Sequence, residues 1–245
     1  MLSANDYTDV GKLIGFAIQP TKRLSDPDYR RTLARYRAES SFREAVDGIL
    51  EGLSMLVLSV GDYGLILGAR TESPFAFRAG DMSRSQEPQH RLLNGLVLAG
   101  LAAFAFPSAE ELEEDRVRQV NEGELEQWLR VVCRKLQGKE AAGEVIPEEG
   151  LDHAWRIFDE LQTDSRPNRT VGRLSLNCTL YWVHNVLSWL AENGMARPDT
   201  LGGEGHWQLT ERFRVQVRHM GAGAAYEYLR GVHAASAATD TESQP

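Results

Sequence analysis

The sequence predicts a mainly α-helical protein with short β-hairpins, an α+β fold in two blocks. Three observations predict it. Apolar residues recur at helical spacing in Phe42, Val46, Ile49, Leu50 and Leu53, and again in Leu180, Val183, Leu187 and Leu190. Each of these helices leads into two short strand-like runs around a glycine-rich turn, the pattern of a hairpin. Hydrophobic residues make up 42% of 245 positions, an ordinary globular composition that allows one or two domains.

The first block opens with a helix expected over Asp6–Ile18. Asp26-Pro27-Asp28 starts the next: Asp26 is a natural N-cap, and proline is tolerated at the first helical position because its missing N–H would have no partner there. A third helix begins at Ser40 or Ser41. The period then changes. Ser54–Ser59 and Leu65–Leu67 flank Gly61-Asp62-Tyr63-Gly64, which reads as strand, turn, strand.

The second block repeats this plan with an insertion. A helix is expected over Gln89–Phe106, a short strand over Arg116–Val120, and a helix capped by Asn121 with Leu125, Leu129, Val132 and Leu136 on one face. Gln137–Glu149, with Gly138, Gly143 and Pro147, reads as a loop. Helices follow over Leu151–Leu161 and Leu176–Asn193, the latter ended by Asn193-Gly194. Met195–Pro198, a Gly202–Gly205 turn and His206–Thr210 form the second hairpin. Thr210 then caps a helical pair through Val232. Helices delivering the chain to a hairpin are the plan of a winged helix, so the expected architecture is tandem winged-helix domains. The expected boundaries are 1–80, 81–233 with an inserted loop and helix near 137–173, and a disordered tail at 234–245.

Charge limits the functions. Lys plus Arg is 27 and Asp plus Glu is 35, a formal charge of −8. Nonspecific duplex affinity comes from phosphate neutralisation by cations, so the chain is no general nucleic-acid coat. A helix that reads a DNA groove needs Arg, Lys, Asn or Gln aimed at it. No Lys or Arg lies between Arg173 and Arg197, and the second wing carries Asp199 and Glu204 instead. Tyr181, Trp182, Trp189 and Trp207 are therefore candidates for a protein interface; burial in the protein's own core is an equal reading. Lys22, Arg23, Arg30, Arg31, Arg35 and Arg37 form the main basic group, with Arg212, Arg214 and Arg218 a smaller one. These are the candidate contacts to duplex DNA or an acidic partner, against a solvated face as the plainer reading. Glu110, Glu111, Glu113, Glu114 and Asp115 form an acidic pole that could dock a basic surface or simply be a charged loop.

No catalytic constellation is visible: no HExxH, GxSxG, phosphate-loop lysine motif or paired CxxC. Cys133 and Cys178 are too few for a disulfide framework. No catalytic residue, metal or cofactor is assigned, and the chain is expected to be non-enzymatic. Met1–Gly15 lacks the apolar core of a secretory signal. The uncharged stretches Leu92–Ala109 and Leu174–Ala191 are too short or too interrupted to span a bilayer. A cytoplasmic protein with no membrane association is expected.

The two helix-to-hairpin segments, Phe42–Phe75 and Trp189–Val217, together with length and acidity, give an outline that resembles the KITE proteins. These are tandem winged-helix accessory subunits of SMC–kleisin complexes, among them MukE-like and Wadjet-type condensin subunits. The resemblance covers about a quarter of the chain, and the 137–173 insertion departs from it. It implies a homodimer that binds a kleisin-like subunit, with the SMC-type ATPase on a separate chain. It further implies association with DNA in the nucleoid, in chromosome organisation or plasmid defence. The alternative is a winged-helix transcription regulator reading duplex DNA through the first block's arginines.

Overall fold

The computed structural model describes residues 2–19, 25–82, 87–114, 116–144, 146, 151–166, 174–220 and 225–232. The expected tail at 234–245 lies outside the described residues. So do Lys22, Arg23 and Asp115. The fold is mainly helical, with small antiparallel sheets.

The first block comprises α1 (Ala4–Ile18), α2 (Pro27–Ala38), α3 (Ser40–Gly52) and the hairpin β1 (Met55–Gly61) and β2 (Gly64–Ala69). Ser3 and Asp6 cap α1 reciprocally: the Ser3 hydroxyl oxygen accepts from the Asp6 N–H, and the Asp6 carboxylate accepts from the Ser3 N–H. Asp26 accepts from the N–H groups of Asp28 and Tyr29, with Pro27 opening α2 as its chemistry demands. One extended residue, Glu39, separates α2 from α3. Phe42, Val46 and Leu50 of α3 close on Val10, Leu13, Leu33 and Leu67 to make the first apolar cluster. The hairpin turns between Gly61 and Gly64, and a bulge lies between Val57 and Ser59. Gly64 has φ +105°, and a side chain there would strike the Tyr29 hydroxyl. That hydroxyl accepts from the Leu65 N–H at 3.0 Å, pinning the hairpin to α2.

A 3₁₀ turn at Ala79–Met82 leads to the second block. It contains α4 (Pro88–Ala105), α5 (Ala109–Glu113), β3 (Arg118–Asn121), α6 (Glu122–Ala141), α7 (Leu151–Glu160), α8 (Thr179–Glu192), β4 (Ala196–Pro198), β5 (His206–Leu209) and α9 (Glu211–Met220). Residues 225–232 are helical again. The sheet order is β3-β5-β4, so the hairpin strand β5 pairs with both the early strand β3 and its own partner β4. α4 is apolar nearly all round and forms the centre of the second apolar cluster, with α6, α7 and α8 packed on it. A side chain at Gly100 would strike Leu129, so α4 and α6 meet closely there.

Several local expectations change in the structure. The helix capped by Asn121 continues through the expected loop at 137–141. A single internal glycine, Gly138, costs only about 1 kcal/mol, and the added turn brings Glu140 to the guanidinium of Arg156 on α7. The helix expected from Leu176 begins at Thr179; the Leu176 carbonyl instead accepts from the Trp182 indole. The Thr210 hydroxyl donates to the Gly194 carbonyl, tying the start of α9 to the end of α8. The acidic stretch after Pro107 contains a short helix, α5, whose N-cap Ser108 accepts from Glu111 N–H. Among the described residues no helix is long and apolar enough to cross a membrane.

Candidate functional site

Two arginines of α2, Arg31 and Arg35, face α1. Arg31 makes two bonds to the Asp9 carboxylate, at 2.6 and 2.8 Å. Arg35 reaches Asp6 at 2.7 Å, Asp9 at 2.9 Å and Glu39 at 2.9 Å, and stacks over the Phe42 ring. Hydrogen bonds from Ser3 and Arg35 hold the Asp6 carboxyl at about 2, and those from Arg31 and Arg35 hold Asp9 there too. Arg37 donates to the Gly61 carbonyl at the hairpin turn. Arg30 is exposed. Of the basic cluster read from sequence, Arg31 and Arg35 thus form a seam between two helices, because spacing along α2 does not reveal the acids on α1.

The smaller basic group divides. Arg214 pairs with Glu211 and donates to the Leu112 carbonyl, and Arg218 lies 3.1 Å from Glu113. Arg212 turns the other way, toward the first block, and its Nε is buried with no hydrogen-bond partner. Helical spacing carries this signal: Arg214 and Arg218 share one face, Arg212, Gln216 and His219 another. The acidic pole is also paired internally, Glu111 and Glu114 with Arg118 and Glu113 with Arg218.

The four aromatic candidates separate by burial. Trp182 is 1% exposed and Trp207 7%, so both belong to the core and neither presents a surface. Tyr181 and Trp189 are half-buried, and Trp189 meets Phe77 edge to face at 5.2 Å. Along α8 His184 and, at the C-terminal end, Glu192 are exposed. His184 contacts Glu122 at 2.8 Å, and this carboxylate also accepts from the Trp207 indole. Bonding to Glu122 raises the His184 pKa. At the tip of β4–β5, Leu201 is 96% exposed.

Sequence reading missed a buried polar cluster. Glu126 and Arg130, one helical turn apart on α6, are 2.5 Å from each other. The Thr179 hydroxyl donates to Glu126 at 2.6 Å and accepts from Arg130 at 3.1 Å, while Arg130 also donates to the Leu161 carbonyl. This network joins α6, the end of α7 and the start of α8. The i, i+4 spacing of Glu and Arg was a usable signal for the pair, though not for Thr179. Cys133 is buried, and burial pushes its thiol up to about 12, which keeps it protonated and a poor nucleophile. Among the described residues no group of three His, Cys, Asp or Glu side chains could hold a metal ion.

No protein-family model matches this chain, and no curated protein or solved structure matches it.

Proposed function

We propose that the chain is a non-enzymatic accessory subunit of a condensin-like SMC–kleisin complex, a tandem winged-helix protein of the KITE kind. The strand order β3-β5-β4, with α4 before β3, α6 and α8 between β3 and β4 alongside the extra helix α7, and a β4–β5 hairpin, supports a winged helix in the second block. Three helices and the β1–β2 hairpin support a reduced counterpart in the first.

One observation carries the reading. The helix that would enter a DNA groove, α8, is packed into its own core and has no Lys or Arg, and its hairpin ends on an exposed leucine. A winged helix arranged this way suits contact with protein. On this reading the subunit forms a homodimer, binds a kleisin-like chain, and works beside an SMC-type ATPase in chromosome organisation or plasmid defence. Transcription regulation by the first block draws less support, since Arg31 and Arg35 already face carboxylates.

Size exclusion with light scattering tests the dimer directly. A dimer at micromolar concentration supports the reading; a clean monomer at high micromolar concentration contradicts it. Duplex binding separates the alternative, which requires sequence selectivity and a steep salt slope.

A further inference from the structure

α9 packs Phe213 and Val217 into the second apolar cluster and, on another face, lies against the first hairpin. Its Gln216 side chain donates to the Leu67 carbonyl at 2.8 Å. One turn earlier on the same face is Arg212. Beside them a cavity of about 360 Å³ opens between the blocks. Met55, Leu67, Phe75 and Phe77 supply apolar wall, Arg78 and Arg212 supply cationic groups, and His219 adds an imidazole. Among the described residues that line it there is no carboxylate.

Arg212 stands apart from other arginines of this protein. The half-buried Arg35, Arg118, Arg130, Arg166, Arg214 and Arg230 each lie against an Asp or Glu. The Arg212 Nε is buried without a partner, and burial lowers its pKa with only the Tyr29 hydroxyl opposing. A buried charge without a counter-ion is costly, and guanidinium is built to bind a carboxylate through paired N–H groups. A second cavity of about 240 Å³, almost wholly apolar, adjoins the first across Phe77, Arg78 and Gln216. Together these give a cationic recess with apolar walls, at a junction between packed units where small-molecule sites commonly form.

We propose that this inter-block cavity binds a small organic acid, its carboxylate seated on Arg212 and Arg78 and its apolar body against Met55, Leu67, Phe75 and Phe77. The carboxylate supplies the counter-charge that Arg212 lacks among the described residues. The apolar body sets the ligand apart from an inorganic anion.

Calorimetry and thermal unfolding of the full chain test this with three probes: octanoate, 1-octanol and inorganic phosphate. Octanoate is expected to bind saturably and raise the unfolding temperature, while neither octanol nor phosphate matches it. Arg212→Met should weaken octanoate binding by about tenfold or more, the loss expected for a charge-assisted pair. The same change should raise the unfolding temperature of the unliganded chain by removing a guanidinium whose Nε is buried without a partner. Arg78→Gln changes an exposed residue and keeps the test valid if the Arg212 variant fails to fold; it should weaken octanoate several-fold. Octanol binding as tightly as octanoate, phosphate binding as tightly as octanoate, or octanoate binding unchanged in both variants would each overturn the proposal.

Discussion

The Arg35 guanidinium lies 2.9 Å from the Asp9 carboxylate, joining α2 to α1 across 26 residues of sequence. This contact changes the meaning of the most basic segment in the chain. Positive charge gathered on one helix is answered by negative charge on its neighbour. The pair ties α1 to α2, and Arg31 and Arg35 already have carboxylate partners where a phosphate would otherwise bind.

Acid should therefore loosen the first block. Asp6 and Asp9 have folded pKa values of about 2, below their ordinary value of 3.8. A depressed carboxylate contributes stability that is fully present above the unfolded pKa and is lost as pH falls through the folded one. Thermal unfolding should weaken between about pH 4 and 2, and Asp9→Asn should flatten that limb. An identical acid profile in the variant would contradict the seam.

His184 gives the opposite slope. Its pKa is raised by Glu122, so its contribution is complete below the ordinary value of 6.5 and is lost as pH rises through the folded pKa. The side chain is half exposed, so the effect is under about 1 kcal/mol. His184→Gln should remove this neutral-pH slope, read by denaturant unfolding at several pH values, and leave the acid limb intact.

Trp182 and Trp189 should separate sharply. Trp182→Ala empties a fully buried site and is expected to cost about 3–5 kcal/mol in chemical unfolding. Trp189→Ala touches a half-buried ring beside the exposed Phe77 and should cost the folded chain much less. If Trp189 lies in the dimer surface, its loss should weaken self-association while leaving the fold intact, which light scattering can read.

Glu126→Gln should be among the most destabilising polar substitutions, by about 3–5 kcal/mol, because it leaves Arg130 without its counter-charge in a buried setting. Thr179→Val removes one hydroxyl from the same network and should cost about 1 kcal/mol. Equal effects from the two would show that charge is not what holds the α6–α8 junction.

Local chemistry made much of this fold legible. Asp26 and Asn121 are caps because their side chains reach N–H groups two or three residues on. The β1–β2 turn is readable because Gly64 must take a positive φ. Partners far apart in sequence were not readable. Arg35 with Asp9, Thr179 with Glu126, and Gln216 with Leu67 depend on how helices pack, and no periodicity announces them. Burial misled for the same reason. An aromatic-rich helix looks alike whether it faces a partner or its own core, and only packing shows that Trp182 is inside while Trp189 stays at the edge. The cationic cavity was least visible, since Arg212 comes from α9 and Arg78 from the connection between the blocks.

We propose that this chain works as a subunit beside an ATPase and a kleisin-like protein. Affinity purification of the tagged full chain from its native cell, with mass spectrometry of the recovered proteins, tests it most directly. Recovery of a large coiled-coil ATPase together with a kleisin-like chain is the expected result. Recovery of this chain alone, under conditions that preserve its own dimer, would contradict it.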